Sequence, residues 1–164
     1  MNNRHTVIGT SLGDLTLVAS GEALVGVYFP NHWPRPEVLL GERVEGDELL
    51  TQAAGEVLAY LAGERMSFDV PIRLLGDAFQ RRVWGLLAEI PYGETTTYGE
   101  LAERLGDKAL ARDVGQAVGR NPLCVVLPCH RVVGKGGKLT GYAGGLRRKQ
   151  LLLELEEPVG ARLF

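Results

Sequence analysis

The sequence predicts an α+β protein, with a small antiparallel-sheet unit followed by a mostly helical unit that contains a helix-turn-helix. Residues 5–29 alternate apolar and polar positions between short turns, as antiparallel strands do. The chain after residue 76 instead has helical periodicity and two helix-start signatures. Gly76 stands between the two patterns, so we expect an N-terminal support unit at 1–75 and a second unit at 76–164.

The composition is that of an ordinary globular protein. The 164 residues are 45% apolar and 23% charged, enough for one domain or two small ones. No run of 18 apolar residues and no apolar leader segment is present, so we expect a cytoplasmic protein without a membrane anchor. The two cysteines, five residues apart, lack companion ligands, which argues against a disulfide scaffold or zinc site and predicts no metal or cofactor.

The charges are distributed unevenly between the two halves of the chain. Residues 1–78 hold 5 Lys and Arg against 11 Asp and Glu, whereas residues 79–164 hold 13 against 9. The net charge of −2 therefore hides a basic C-terminal half that could hold phosphates while the acidic half faces away. Such asymmetry also arises by chance, so it supports nucleic-acid binding only weakly.

The N-terminal half reads as three strands, one helix and one edge strand. The strands are expected at residues 6–8, around 15–19 and at 23–29. Asp47 can cap a helix that runs to about Leu61 with an apolar face formed by Leu50, Ala53, Ala54, Val57, Leu58 and Leu61. Residues 68–74 are expected to form an edge strand because Pro71 bars a central position. Nothing in this half indicates chemistry.

The C-terminal half opens with two capping boxes. Asp77 and Gln80 start one helix, and Thr97 and Glu100 start a second that runs to about residue 105. A tight turn and a further helix at about 109–118 complete a helix-turn-helix pattern, which any small helical hairpin would share. Small side chains on the last helix would let its backbone approach a partner closely: Ala111, Gly115 and Ala117.

A candidate nucleophile follows a short apolar run. Residues 123–127 read as a buried strand that Pro128 ends, which would place Cys129 and His130 where the chain leaves the sheet. A thiol beside an imidazole and Arg131 has what an activated nucleophile needs, although a lone cysteine after an apolar strand is more often an inert core residue.

The segment Pro128-Cys129-His130-Arg131-Val132 resembles the active-site signature of the O6-alkylguanine-DNA alkyltransferases, or methylated-DNA–protein-cysteine methyltransferases. The resemblance extends through residues 79–84 and 90–95 and covers roughly 79–156, while the N-terminal half matches only by size and layout. It implies a ribonuclease H-like N-terminal domain and a C-terminal DNA-binding and alkyl-transfer domain.

The resemblance also implies the activity. The protein would repair double-stranded DNA by direct reversal: it flips out an O6-alkylguanine, with O4-alkylthymine a further candidate, and moves the alkyl group irreversibly to Cys129. His130 would accept the thiol proton through a water, and Glu156 would hold the imidazole. Because nothing in the sequence can remove a thioether, one turnover would consume the protein. We expect a monomer in solution, with cooperative assembly on DNA as a further possibility.

Further residue roles are carried over from the family. Tyr98 would donate to the purine ring and rotate the phosphate, and Arg112 would fill the stack that the flipped nucleotide leaves. Asn121 would tie the turn before Cys129 to the recognition helix. The residues expected at DNA are Tyr98, Gly99, Ala111, Arg112, Gly115, Asn121 and Lys135, and those expected around the base are Asn121, Val132, Tyr142, Ala143, Gly144 and Gly145.

Two residues depart from the family pattern. Asp113 stands where the family usually has alanine, and Lys108 where a proline is common.

A lesion-binding protein of the alkyltransferase-like kind is the main alternative, but such proteins lack the thiol that Cys129 supplies. A cysteine hydrolase would need an oxyanion hole, and a transcriptional regulator would need a dimerisation element, which the sequence does not show.

Overall fold

The computed structural model describes residues 2–32 and 39–157. The N-terminal half is built on a sheet in which β1 (Asn3–Thr10), β2 (Gly13–Ser20) and β3 (Ala23–Tyr28) form an antiparallel meander. The short β4 (Glu42–Arg43) pairs with β1 in parallel, so that the strand order is β3-β2-β1-β4. The strand meander predicted for residues 5–29 is confirmed.

One helix, α1 (Glu48–Leu61), packs on the meander. Asp47 caps it as predicted, with its side chain accepting a hydrogen bond from the Leu50 amide. Leu58 does not belong to the buried face, because it is 43% exposed and lies about 100° round the helix from the buried Val57. The residues that are buried recur at helical spacing: Leu50, Ala53, Glu56, Val57 and Tyr60.

The edge strand predicted for residues 68–74 is wrong in extent. Only Ile72 bridges the sheet, at Leu24. The amides of residues 69 and 70 donate instead to Oε1 of the buried Glu56, at 2.9 and 3.0 Å, and Pro71 has no amide hydrogen to donate. A side chain of α1 therefore takes the hydrogen bonds that a neighbouring strand would have used.

The C-terminal half is mostly helical, as predicted. It contains α2 (Ala78–Leu87), α3 (Tyr98–Arg104), α4 (Ala111–Gly119) and α5 (Leu146–Glu156), with β5 (Thr96–Thr97) and β6 (Val132–Val133) as a short parallel pair. Both predicted capping boxes are present. The helices α3 and α4 form the helix-turn-helix, and Nε1 of Trp84 in α2 donates to the Ala117 carbonyl of α4 at 2.8 Å.

The main apolar core runs through both halves, from the inner faces of β2, β3 and α1 to α2, α4 and the segment before Cys129, and a small second cluster contains Val18, Val25 and Tyr28. Within residues 2–32 and 39–157, no helix is both long and apolar enough to cross a membrane.

Candidate active site

The apolar run before Cys129 is a tight turn, so the strand predicted at 123–127 is wrong. Leu123 makes one bridge to Val27, and the chain then folds back, with the Leu127 amide donating to the Leu123 carbonyl at 2.8 Å. Val125 has a left-handed φ of +73°, which is strained for a β-branched residue. The run is largely buried, as expected for an apolar sequence.

Asn121 explains why these residues need no strand partner. Its side-chain oxygen accepts from the Leu123 amide at 2.9 Å, and its nitrogen donates to the Leu127 carbonyl at 3.0 Å. The amide therefore supplies hydrogen bonds that a sheet would otherwise provide. Its backbone amide also donates to Val118 of α4, so Asn121 links the recognition helix to the turn. The Asn121 side chain is only 1% exposed, so its polar atoms make their hydrogen bonds within the protein.

Cys129 begins a 3₁₀ turn (Cys129–Arg131) and is 3% exposed. A hydrogen bond from the Cys124 thiol lowers the pKa of Cys129, burial opposes this effect, and the Asn121 amide and the Lys149 ammonium lower that pKa further. The pKa of Cys124 is raised well above its ordinary value by its contact with Cys129 and by burial. We assign the thiolate to Cys129 because Asn121 and Lys149 act on that sulfur.

His130 and Glu156 form the hydrogen-bonded pair expected from the family. Nε2 of His130 lies 2.7 Å from Oε2 of Glu156, and both side chains are buried. Burial lowers the pKa of His130, against the effect of Glu156. The imidazole is then neutral with its hydrogen on Nε2. Its Nδ1 is buried and finds no hydrogen-bond partner in the described residues, so it is the free acceptor.

Arg131 fixes the carboxylate on its other side. Its Nε and NH2 donate to the two oxygens of Glu156 at 2.7 and 2.9 Å, a bidentate pair. Burial alone would raise the pKa of Glu156, but the hydrogen bonds from His130 and Arg131 outweigh it and hold that pKa at about 2. The carboxylate is therefore ionised at any working pH.

Sequence reasoning missed two buried residues of this site. Tyr60 of α1 donates its hydroxyl hydrogen to Oε2 of Glu156. Lys149, in the basic first turn of α5, is fully buried, and its Nζ donates to the Thr140 carbonyl at 2.9 Å. Helical spacing could have revealed Lys149, since it lies three and seven residues before Leu152 and Glu156, which are also buried.

A cleft of about 520 Å³ brings together residues that were predicted to contact DNA and residues that were predicted to contact the base. Its floor contains Tyr98, whose hydroxyl lies 2.9 Å from Oγ1 of Thr140. Lys149 connects Thr140, which lines the cleft, to the thiolate, because its Nζ donates to the Thr140 carbonyl and its charge acts on Cys129. The lining residues are Tyr98, Ala111, Arg112, Gly115, Gly119, Thr140, Gly141, Tyr142 and Ala143.

The glycines predicted at DNA have no intramolecular reason to lack a side chain. A Cβ at Gly99 would meet only Oγ1 of Thr97 at 3.9 Å, and one at Gly115 would meet the Tyr98 ring at an ordinary 3.7 Å. Gly144 is different, because a Cβ there would lie 2.5 Å from the Phe29 ring. Gly144 thus packs the pocket wall against the sheet.

Three further predicted residues do not line this cleft. Val132 is buried in β6, while Lys135 and Gly145 are exposed. Arg148, in the basic first turn of α5, faces inward and donates to the Leu12 carbonyl at 2.7 Å, so this side chain is not available to phosphates.

Asp113 lies on the other side of α4 from the cleft. It lines a separate depression of about 290 Å³ beside α2, together with Gln116 and Arg120. The cleft is reached by positions 111, 115 and 119, which share one helix face at i, i+4 spacing. Lys108 is exposed and pairs with Glu103 at 3.1 Å.

Comparison with known proteins agrees with this geometry over the whole chain. The family model described as 6-O-methylguanine DNA methyltransferase, ribonuclease-like domain, matches residues 3–74, and the DNA binding domain of the same family matches residues 78–158. The methylated-DNA–protein-cysteine methyltransferase of Mycobacterium tuberculosis is 44% identical over 98% of both chains. The inducible enzyme of that name from Bacillus subtilis is 40% identical over 95% of this chain and 86% of its own.

Solved structures give the same result. The crystal structure of M. tuberculosis OGT in complex with DNA superposes with a TM-score of 0.86 at 42% identity, covering 98% of this chain and 99% of that one. An O6-methylguanine DNA methyltransferase from Methanococcus jannaschii has a TM-score of 0.62 at 27% identity, covering 92% of each chain. The chain therefore belongs to the 6-O-methylguanine DNA methyltransferase family.

Proposed function

We propose that this protein repairs alkylated DNA by direct reversal, transferring the alkyl group of an O6-alkylguanine in duplex DNA to Cys129 in a single turnover. The observation that carries the proposal is a buried thiol, activated by Cys124, Asn121 and Lys149, next to the hydrogen-bonded pair of His130 and Glu156. The relatives named methylated-DNA–protein-cysteine methyltransferase support it.

The reaction is an in-line displacement at the alkyl carbon. The thiol proton passes through a water to Nδ1 of His130, whose positive charge Glu156 stabilises. The thiolate then forms the sulfur–carbon bond as the carbon–O6 bond breaks, and the electron pair moves onto the purine. The guanine then takes a proton from water at N1, and His130 returns the proton of the thiol to water, so that no net proton is gained or lost. Tyr98, at the cleft, would donate a hydrogen bond to the ring as negative charge develops.

Ionisation of the thiol explains only part of the rate. A free thiol is a few per cent thiolate at neutral pH, so complete ionisation gives at most about 30-fold, or roughly 2 kcal/mol. The rest must come from aligning sulfur, carbon and oxygen and from stabilising the departing guanine. The strained turn and the hydrogen bonds of the Asn121 side chain supply that alignment, since they fix the backbone that carries Cys129.

The helix-turn-helix and its cleft support duplex DNA as the partner. The small residues of α4 leave room for a nucleic-acid backbone, and Arg112 stands at the cleft to replace the extruded nucleotide. The similar OGT of M. tuberculosis was crystallised in complex with DNA. A monomer in solution stays a prediction that analytical ultracentrifugation would test. Cooperative assembly on DNA stays a prediction that binding isotherms on long duplexes would test.

Intact-protein mass spectrometry tests the proposal. After incubation with a duplex carrying O6-methylguanine, we expect one added methyl group per protein, mapping to Cys129 and absent in Cys129→Ser. Cys124 is the internal control, because it is a second buried thiol in the same protein and should stay unmodified. No mass change with the duplex bound would instead indicate a lesion-binding protein, and no change without binding would refute both functions.

A further inference from the structure

Tyr60 reaches the active-site carboxylate from the other half of the chain. It belongs to α1 and is fully buried, and its hydroxyl donates to Oε2 of Glu156, 96 residues later in the sequence. The other donors to that carboxylate, which are His130, Arg131 and the Gly93 amide, all come from the C-terminal half. Tyr60 is thus the point where the N-terminal half enters the hydrogen-bond network of the thiol.

The directions of these hydrogen bonds follow from the charges. The pKa of Glu156 is about 2, so its oxygens can only accept. Burial and the negative charge of Glu156 raise the pKa of Tyr60, so the phenol keeps its hydrogen and donates it. His130 Nε2 donates to the same Oε2 at 2.7 Å, and the Tyr60 oxygen lies only 3.3 Å from that nitrogen. NH2 of Arg131 donates to this oxygen as well, at 2.9 Å, so Tyr60, His130 and Arg131 share one acceptor atom.

Sharing that oxygen has a chemical consequence. Beside His130 and Arg131, the Tyr60 hydroxyl is a third donor on Oε2, which spreads the negative charge of that oxygen further and weakens the stabilisation that Glu156 offers to a protonated imidazole. We propose that Tyr60 is a positioning residue that fixes Glu156 and keeps His130 neutral, so that its Nδ1 can take the proton of Cys129. This inference rests on the proposed alkyl transfer and adds that the N-terminal half takes part in it.

Other groups around His130 act in the same direction or oppose it. Arg131 from the 3₁₀ turn and Lys149 from α5 disfavour its protonation, and Glu156 from α5 favours it. Tyr92, from the loop after α2, contacts the Tyr60 ring edge-on, with centroids 6.1 Å apart. Within this set, Tyr60 is the tyrosine whose hydroxyl donates to Glu156, since the Tyr92 hydroxyl donates to the Leu155 carbonyl.

The test is Tyr60→Phe, which retains the ring packing against Phe68 and Tyr92. We expect the NMR titration of the His130 ring to move to higher pH by about half a unit or more. The acid limb of the single-turnover methyl-transfer rate should move with it, while the rate above that limb changes less than about threefold. Tyr28→Phe removes a buried hydroxyl that belongs to a different cluster, and should leave both curves in place.

The outcomes separate this inference from the proposed function. Titration and rate curves of Tyr60→Phe that superimpose on the wild type would overturn the role of Tyr60. If the wild type transfers no methyl group, the proposed function fails, but the His130 titration still decides whether Tyr60 controls its protonation. A variant that does not fold leaves the wild-type spectrum as the test, and an imidazolium at neutral pH there would refute the inference.

Discussion

Replacing Glu156 by glutamine should remove the electrostatic centre of the active site. The substitution keeps the shape of the side chain but leaves the buried guanidinium of Arg131 without a counter-charge. It also turns an NH2 group toward atoms that themselves donate. Breaking a buried ion pair from one side costs about 3–5 kcal/mol, so we expect Glu156→Gln to lose that much free energy of unfolding at pH 7.

The pH dependence gives a second, independent magnitude. The pKa of Glu156 falls from 4.5 to about 2 on folding, so its ionisation stabilises the folded state by about 3 kcal/mol. Because the folded-state pKa is the lower one, this contribution is complete above pH 4.5 and is lost as the pH falls toward 2. The stability difference between wild type and Glu156→Gln should therefore narrow by about 1.4 kcal/mol for each pH unit below 4.5.

Urea unfolding of both proteins from pH 7 down to about 3.5 would measure these differences. Glu154→Gln is the matched control, since Glu154 lies on the same helix but is exposed, and its side chain accepts a hydrogen bond from Gln150. That variant should stay within about 0.5 kcal/mol of the wild type at every pH. A loss below about 1 kcal/mol for Glu156→Gln, or a difference that does not vary with pH, would refute the reasoning.

Three further substitutions test other parts of the structure. Asn121→Ala leaves two buried backbone groups without partners and should lower the free energy of unfolding in urea by about 2–6 kcal/mol. A loss under about 1 kcal/mol would contradict the role of Asn121 in holding the turn. Gly144→Ala forces the Phe29 ring to move and should lower the free energy of unfolding by about 1–3 kcal/mol, measured by thermal unfolding. An unchanged stability would contradict the close packing of Gly144 against Phe29. Arg112→Ala should weaken binding to a lesion-bearing duplex, measured by fluorescence anisotropy in about 0.15 M salt. Asp113→Ala, on the far side of α4, should change the dissociation constant less than about threefold. Equal effects of the two substitutions would contradict the assignment of the cleft.

The elements that could be predicted are those that local chemistry determines. The capping boxes at Asp77 and Thr97 each need only residues three apart, and both are present. The pairing of His130 with Glu156 was expected only through the family resemblance, because twenty acidic residues offered no other basis for choice. Geometry brings the two side chains to 2.7 Å, as that resemblance implied.

The elements that could not be predicted depend on distant partners. The apolar run at 123–127 has the composition of a strand, but Asn121 satisfies its backbone and bends it into a turn. Tyr60 fits the buried face of α1 by spacing, yet its contact with Glu156 requires the two halves of the chain to be docked. Lys149 is charged, and its burial depends on carbonyls that only the folded loop provides.

The carboxylate of Glu156 is where four separate segments of the chain meet: α1, the turn at Gly93, the 3₁₀ turn after Pro128, and α5 itself. None of these segments can leave without stranding buried hydrogen-bonding groups in the others. Arg148 adds a second tie between the halves, through the Leu12 carbonyl. The halves should therefore melt together, in one calorimetric transition whose measured enthalpy equals its van't Hoff enthalpy. Glu156, which we propose prepares the thiol for reaction through His130, is thus also the group that we expect to make unfolding of this chain cooperative.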